Sequence, residues 1–148
     1  MRVLLNIIIG LAVIMQILTI NAEAGVTNIN NSELSDLLKK GVAIIDIRTE
    51  PEWLQTGVVP GSRLLALPFE AQMMKKPDEW LLELEKLIPR SLPVILICRT
   101  GRRTIPATRF LHGSGYLQVY NVTGGIEPWI RAGLPIESYK GGEQKWKK

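Results

Sequence analysis

The sequence predicts an α/β domain with a central, mostly parallel five-stranded sheet and helices on both faces. Segments with strand-like and helical patterns alternate along the chain, which is typical of parallel strands connected by helices. Two of the strand segments, residues 42–48 (VAIIDIR) and 93–98 (PVILIC), are almost continuously apolar. Such runs are expected of parallel strands that helices cover on both sides.

The first half of the chain contains three strand candidates and one clear helix. A short strand at 26–29 (VTNI) precedes a helix that Asn30 can cap, with Glu33 three residues later and Gly41 at its end. The apolar strand at 42–48 follows. Residues 50–62 (EPEWLQTGVVPGS), rich in Gly and Pro, are expected to form a loop or a short helix, and residues 63–68 (RLLALP) a further strand.

The second half repeats the alternation more regularly. Residues 77–89 form a helix, because Pro77 suits the first turn, apolar residues recur at helical spacing and Pro89 ends the pattern. The strand at 93–98, a helix at 102–115, a strand at 117–122 (LQVYNV) and a last helix at 124–133 complete the domain.

The amino end differs in composition from the rest of the 148 residues. Arg2 precedes an apolar run, and Ala22-Glu23-Ala24 follows it, a pattern typical of a secretory signal peptide. We expect residues 1–24 to be cleaved after Ala24, or else to be retained as a membrane anchor through residues 3–20. In either case the remainder faces the bacterial periplasm, free in that compartment or anchored at the inner membrane.

Most of the net charge of +4 comes from the carboxyl end. Residues 140–148 form a basic tail with four lysines, and residues 25–139, the expected domain, are close to neutral without it. A frayed, solvated tail is the simplest interpretation. The charge therefore gives no indication of nucleic-acid binding.

Cys98 is the single cysteine, so it cannot form a disulfide within the chain. A lone cysteine after an apolar strand is often a small buried hydrophobe. The next residues favour a reactive thiol instead, because arginines so close to a core position are costly unless they face a cleft or solvent. The candidate substrate-binding loop comprises Arg99, Thr100, Gly101, Arg102, Arg103 and Thr104.

The predicted order of strand, short loop and helix favours anion chemistry at Cys98. The loop follows the carboxyl end of a parallel strand, where open α/β sheets place ligand sites, and the amides of the next helix point back at it. These amides and the arginines favour the nucleophilic thiolate and bind anions. Gly101 permits a tight turn, and Thr104 can donate to the thiolate or cap the helix. The pattern predicts group transfer from an anionic donor through a covalent intermediate on sulfur.

Three blocks of sequence resemble the rhodanese family, in the same order and over about residues 26–138. The segment CRTGRR matches the family's active-site loop, Cys-x-x-Gly-x-Arg. The segment IIDIRTEPEWLQTGVVPGSRLLALP resembles its first signature, and GYLQVYNVTGGIEPWIRAGLP its last. Two positions depart from the family's usual residues: Val58 replaces a histidine, and Ile97 replaces a histidine or tyrosine. Neither change removes the nucleophile, so we expect effects on efficiency or substrate choice.

The resemblance implies a single-domain sulfurtransferase. Cys98 would take the outer sulfur of thiosulfate or a similar anionic donor as a persulfide and pass it to cyanide or a thiol. The loop amides would hold that sulfur, and Arg99, Arg102 and Arg103 would attract the donor. Arg103 could instead turn back to a carboxylate and fix the loop. No cofactor or metal is implied, and a monomer is expected.

Asp46 and Arg48, at the end of the strand beside the predicted site, have two interpretations. They are supporting site residues or, as we favour, a structural ion pair. Glu52 and Trp53 are interpreted as structural.

Two other functions use the same thiolate. A module could carry or sense a persulfide without turnover. The second alternative is phosphatase or arsenate chemistry. Related phosphatase loops have five residues between the cysteine and the arginine, whereas here four residues separate Cys98 from Arg103.

Overall fold

The computed structural model describes residues 25–142. The predicted signal peptide or anchor at 1–24 and residues 143–148 of the predicted basic tail lie outside this range. Within the described range, no helix has the length and apolar character needed to cross a membrane.

Five parallel strands form the central sheet, which confirms the predicted architecture. Their spatial order is β1-β7-β6-β2-β3, and a separate antiparallel hairpin pairs β4 with β5. The strands are β1 (Gly25–Ile29), β2 (Ala43–Asp46), β3 (Arg63–Leu64), β4 (Phe69–Glu70), β5 (Met73–Met74), β6 (Val94–Ile97) and β7 (Gln118–Val122).

Helices cover both faces of the sheet, as the continuous apolar strands predict. The described residues form α1 (Asn31–Lys39), α2 (Glu50–Thr56), α3 (Pro77–Leu87), α4 (Thr104–Gly113) and α5 (Ile126–Arg131). Successive residues of β6 point to opposite sides. Leu96 packs in the core with α3 and α4, whereas Ile95 and Ile97 pack in the core with α1 and α5. Cys98, the next residue, faces the α3–α4 side.

Nearby side chains cap the first turns of α1 and α2. The Asn30 side chain accepts hydrogen bonds from the amides of Ser32 and Glu33 at 2.9 and 3.0 Å, and Glu33 accepts from the Asn30 amide at 2.8 Å. The segment expected to be a loop or short helix begins with α2, where Glu52 accepts from the Thr49 amide and hydroxyl.

The segment after α2 is less regular than predicted. Of the strand expected at 63–68, only Arg63–Leu64 form regular ladder pairs. Leu65 and Leu67 still donate backbone hydrogen bonds to β2 and the residue after it, but Pro68 has no amide hydrogen to continue the ladder. The hairpin of β4 and β5 was not predicted, because two-residue strands give no detectable alternation.

Candidate active site

Cys98 immediately follows β6, which lies in the middle of the sheet between β7 and β2. Its thiol is 0 % exposed and lies inside the loop that leads into α4. The Gly101 amide donates a hydrogen bond to Cys98 Sγ at 3.2 Å. Gly101 has a φ of +83°, a conformation that glycine adopts readily. The loop thus curls around the sulfur and aims a backbone N–H at it.

Thr104, the first residue of α4, braces this loop. Its hydroxyl lies 3.8 Å from Cys98 Sγ and donates to the Gly101 carbonyl at 3.0 Å. Because the hydroxyl has one hydrogen, it cannot donate to the sulfur at the same time, although its oxygen can accept a hydrogen bond from the thiol S–H. Arg103, not Thr104, occupies the N-cap position.

Arg103 turns back to a carboxylate, the second of the two arrangements that the sequence left open. Its guanidinium donates to both oxygens of Glu52, at 2.9 and 2.5 Å. Burial acts to raise the pKa of Glu52, but the hydrogen bonds from Arg103 and Thr49 outweigh it and lower the pKa to about 2. Glu52 in turn raises the pKa of Arg103. The ion pair joins the Cys98 loop to α2, 51 residues earlier in the chain.

The other two loop arginines differ from Arg103 and from each other. Arg99 donates to Glu127 of α5 at 3.0 Å. Arg102 is exposed, and no carboxylate of the described residues lies within 4 Å of it. Arg102 is therefore the loop arginine whose charge an incoming anion meets without a competing carboxylate.

The Gly124-Gly125 turn holds the loop from the far side. The amide of Ile126 donates to the Cys98 carbonyl at 2.8 Å, and the amide of Glu127 donates to the Arg99 carbonyl at 3.2 Å. A Cβ atom on Gly125 would lie 2.4 Å from the Cys98 carbonyl oxygen. Gly124 and Gly125 lie in the last of the three blocks that resemble the family, and no role was predicted for them. In the sequence, a glycine pair just before a predicted helix could have indicated this contact, because close approach of two backbone segments favours glycine.

Asp46 and Arg48 form a buried ion pair, 0 % and 1 % exposed. Arg48 bonds Asp46 at 2.7 Å and also donates to Thr56 at 2.7 Å and to the Gly57 carbonyl at 2.8 Å. These contacts attach the end of β2 to the end of α2. Such contacts are typical of a structural ion pair. A supporting role of Asp46 and Arg48 in the reaction remains a prediction.

Val58, one of the two departures, is buried and held by its backbone. Its amide and carbonyl each bond Glu137 at 2.9 Å, in an isolated antiparallel bridge. These backbone hydrogen bonds fix the position of the segment around residue 58 without a polar side chain there. Among residues 25–142, no group of three or more His, Cys, Asp or Glu side chains is arranged to hold a metal ion.

Residues 30–132 match the sequence model of the rhodanese-like domain. The chain belongs to this family. Relatives agree: the chain is 34% identical over 118 residues to a sulfurtransferase of Allochromatium vinosum, covering 78% of this chain and 99% of the relative. It is 30% identical over 103 residues to thiosulfate sulfurtransferase GlpE of Pseudomonas putida, covering 70% of this chain and 82% of the relative.

A solved structure supports the same rhodanese-like assignment. The rhodanese-related protein of Thermoplasma volcanium superimposes with a TM-score of 0.59 at 27% identity, covering 76% of this chain and 99% of that one. The family match over residues 30–132 includes the loop around Cys98 and every strand of the central sheet except β1.

Proposed function

We propose that this rhodanese-like domain is a sulfurtransferase that moves sulfane sulfur from thiosulfate or a similar donor to cyanide or a thiol through a Cys98 persulfide. The observation that carries the proposal is the Gly101 amide, 3.2 Å from Cys98 Sγ within a loop at the start of α4. An N–H aimed at sulfur stabilises the thiolate. The sulfurtransferase names of the relatives support the same chemistry.

The first half-reaction needs a nucleophile and an anion-binding surface. The Cys98 thiolate attacks the outer sulfur of thiosulfate, a bond forms between the two sulfurs, and the donor's S–S bond breaks. Sulfite leaves with that electron pair, and the outer sulfur stays on Cys98 as a persulfide anion. Arg102, which has no carboxylate neighbour among the described residues, attracts the dianionic donor.

The second half-reaction restores the thiolate. Cyanide or a thiolate attacks the outer sulfur, the bond between the two sulfurs of the persulfide breaks, and Cys98 recovers the electron pair. No external oxidant or reductant is consumed. The sulfur atom on Cys98 must stay in place between the two steps, and the contacts from Glu52, Glu127 and Ile126 make the loop rigid enough for this.

Cys98→Ser tests the assignment, because a serine hydroxyl in the same loop is a far weaker nucleophile. We expect the wild-type chain, incubated with thiosulfate, to gain the mass of one sulfur atom and then to produce thiocyanate from cyanide over many cycles. The variant should do neither. Thiocyanate formation by the variant above the rate without enzyme would refute the role of Cys98.

Complete burial of Cys98 favours a second candidate function, a module that carries or senses a persulfide without turnover. A covered sulfur exchanges slowly with acceptors unless the loop admits them. The same experiment separates the two: a carrier gains one sulfur atom and stops, whereas an enzyme continues to form product after each molecule has reacted once.

A further inference from the structure

Residues 134–142, which come after α5, form an irregular segment that we call the carboxyl strap. Its first residues are attached to α5. The Leu134 amide donates to the Trp129 carbonyl at 3.3 Å, and Trp129 Nε1 donates to the Pro135 carbonyl at 2.8 Å. Trp129 is buried in the core. The carboxyl strap therefore starts from a fixed position on α5.

The middle of the carboxyl strap packs against the end of α2. Glu137 and Val58 exchange two backbone hydrogen bonds of 2.9 Å each. Gly57, the residue after α2, has φ +73°, and a Cβ atom there would lie 2.5 Å from Ile136 Cγ2 and 2.6 Å from the Glu137 carbonyl oxygen. Glycine at this position permits both the backbone conformation and the close approach. The strap and the end of α2 are thus in direct backbone contact.

Tyr139 attaches the strap to the start of α2. Its ring meets the ring of Trp53 edge to face, with centroids 5.7 Å apart and an interplanar angle of 80°, a geometry that aromatic pairs favour. Its hydroxyl lies 3.0 Å from Glu50 Oε1, within hydrogen-bond distance. Trp53 is 7% exposed and is the buried side chain of α2. Tyr139 therefore contacts the residue that anchors α2 in the fold.

The two helices that the strap joins are those that hold the active-site loop. Glu52 of α2 bonds Arg103, and Glu127 of α5 bonds Arg99. These helices have only 7 and 6 residues, and helices this short depend on tertiary contacts for their position. Glu52 precedes Trp53 in the chain, so a shift of Trp53 also moves the carboxylate that Arg103 contacts.

We propose that the carboxyl strap positions the Cys98 loop for sulfur transfer, with Tyr139 as a positioning residue that acts through α2. The proposal rests on the sulfurtransferase function proposed above. Tyr139 holds Trp53, and the neighbouring Glu52 holds Arg103 of the loop. During transfer the Cys98 sulfur must stay aligned with the outer sulfur of the donor, since a displacement of about 1 Å can slow a reaction roughly 100-fold. The strap limits such displacement.

Tyr139→Ala removes the aromatic contact in the full-length chain. We expect the rate constant for persulfide formation, measured in a single turnover at saturating thiosulfate, to fall roughly three- to tenfold, as the loss of one aromatic pair predicts. The thiosulfate concentration at half-maximal rate should change less than about twofold, because Arg102 is unaltered. Tyr139→Phe keeps the ring and should restore the rate constant to within about twofold of the wild type.

Leu87→Ala is the matched control for lost stability. Leu87 is half-buried at the end of α3 and packs in the core on the side of α3 and α4, whereas Leu134 and Ile136 of the strap pack on the other side of the sheet. The control should lower the unfolding free energy and keep the wild-type rate constant. All variants are compared where circular dichroism shows the native fold, and Tyr139→Leu replaces Tyr139→Ala if the latter does not fold. An unchanged rate constant without the ring, or equal slowing in the control, would overturn the proposal.

A double substitution tests the route through α2. Glu52→Ala removes the oxygens that Arg103 contacts, so the link between α2 and the loop is already lost. Adding Tyr139→Ala to this variant should slow persulfide formation by less than about a further twofold. If the two effects multiply instead, the strap does not act through Glu52, and the proposal is wrong.

Hydrogen exchange of the Gly101 amide, followed by NMR, is independent of turnover. This amide bonds Cys98 Sγ at 3.2 Å, so a looser loop exposes it to solvent. We expect its exchange rate relative to that of Ile95 in β6 to rise roughly three- to tenfold in Tyr139→Ala, but not in Leu87→Ala. If the ratio rises as expected but the wild type forms no persulfide, the proposed sulfurtransferase function fails and the strap proposal loses its reaction. If the wild type converts cyanide and the ratio is unchanged, only the strap proposal fails.

Discussion

Gly125→Ala should disable the Cys98 loop without changing any residue of it. The new Cβ would lie 2.4 Å from the Cys98 carbonyl oxygen and 2.5 Å from the Arg99 carbonyl carbon and oxygen, all backbone atoms. Gly125 has φ +65° and ψ −148°, a region almost exclusive to glycine, which costs other residues about 1–3 kcal/mol. Relief of the overlap adds about 1–3 kcal/mol. We expect unfolding in urea to show a loss of roughly 2–6 kcal/mol, the sum of the two contributions.

The same substitution should lower sulfur transfer, because the loop can relieve the overlap only by moving the backbone that holds the sulfur. Gly133→Ala is the matched control: Gly133 has φ +66°, and a Cβ there meets nothing within 4 Å. The control should lose about 1–2 kcal/mol from its backbone conformation alone and keep its turnover. If both variants lose the same stability and turnover, the contact between the Gly pair and the Cys98 loop does not position the sulfur.

Two further predictions concern the loop arginine. Glu52→Gln should lower the unfolding free energy at pH 7 by up to about 3 kcal/mol, the equivalent of lowering the Glu52 pKa from 4.5 to about 2. The carboxylate stabilises the fold fully above pH 4.5 and loses this effect as the pH falls through 2, so the variant should show a flatter stability profile in acid; an identical profile would contradict the assignment. Insertion of one glycine between Arg102 and Arg103 should weaken sulfur transfer and favour phosphate or arsenate binding, whereas unchanged turnover would mean that loop length does not select the chemistry.

The long elements of the fold were predictable because their patterns are local. The capping box at Asn30 and Glu33 and the apolar run at 94–97 each determine an element from adjacent residues. The hairpin of β4 and β5 was not predicted, because its strands are too short to produce a local pattern. It pairs only Phe69 with Met74 and Glu70 with Met73, so no periodic pattern exists to detect.

The candidate site was predictable in its chemistry but not in its long-range contacts. A single cysteine followed by glycine and arginines indicates a nucleophile in an anion-binding loop, and the structure places the Gly101 amide on Cys98 Sγ. The partner of Arg103 could not be identified in the same way. Glu52 was interpreted as structural, and its position 51 residues away becomes visible only when α2 is placed beside the loop.

The three arginines that follow the cysteine therefore have different surroundings, although they lie within five residues of sequence. Arg103 and Arg99 are neutralised by Glu52 and Glu127, which come from the two blocks of sequence that flank the loop block. A loop built from three unpaired guanidinium groups would repel itself and would hold the sulfur poorly. Pairing two of them ties the loop to α2 and α5, and leaves Arg102 as the loop arginine that would attract the donor in the proposed function. This division explains why the Cys-x-x-Gly-x-Arg loop needs the flanking blocks: they supply the carboxylates that make it rigid.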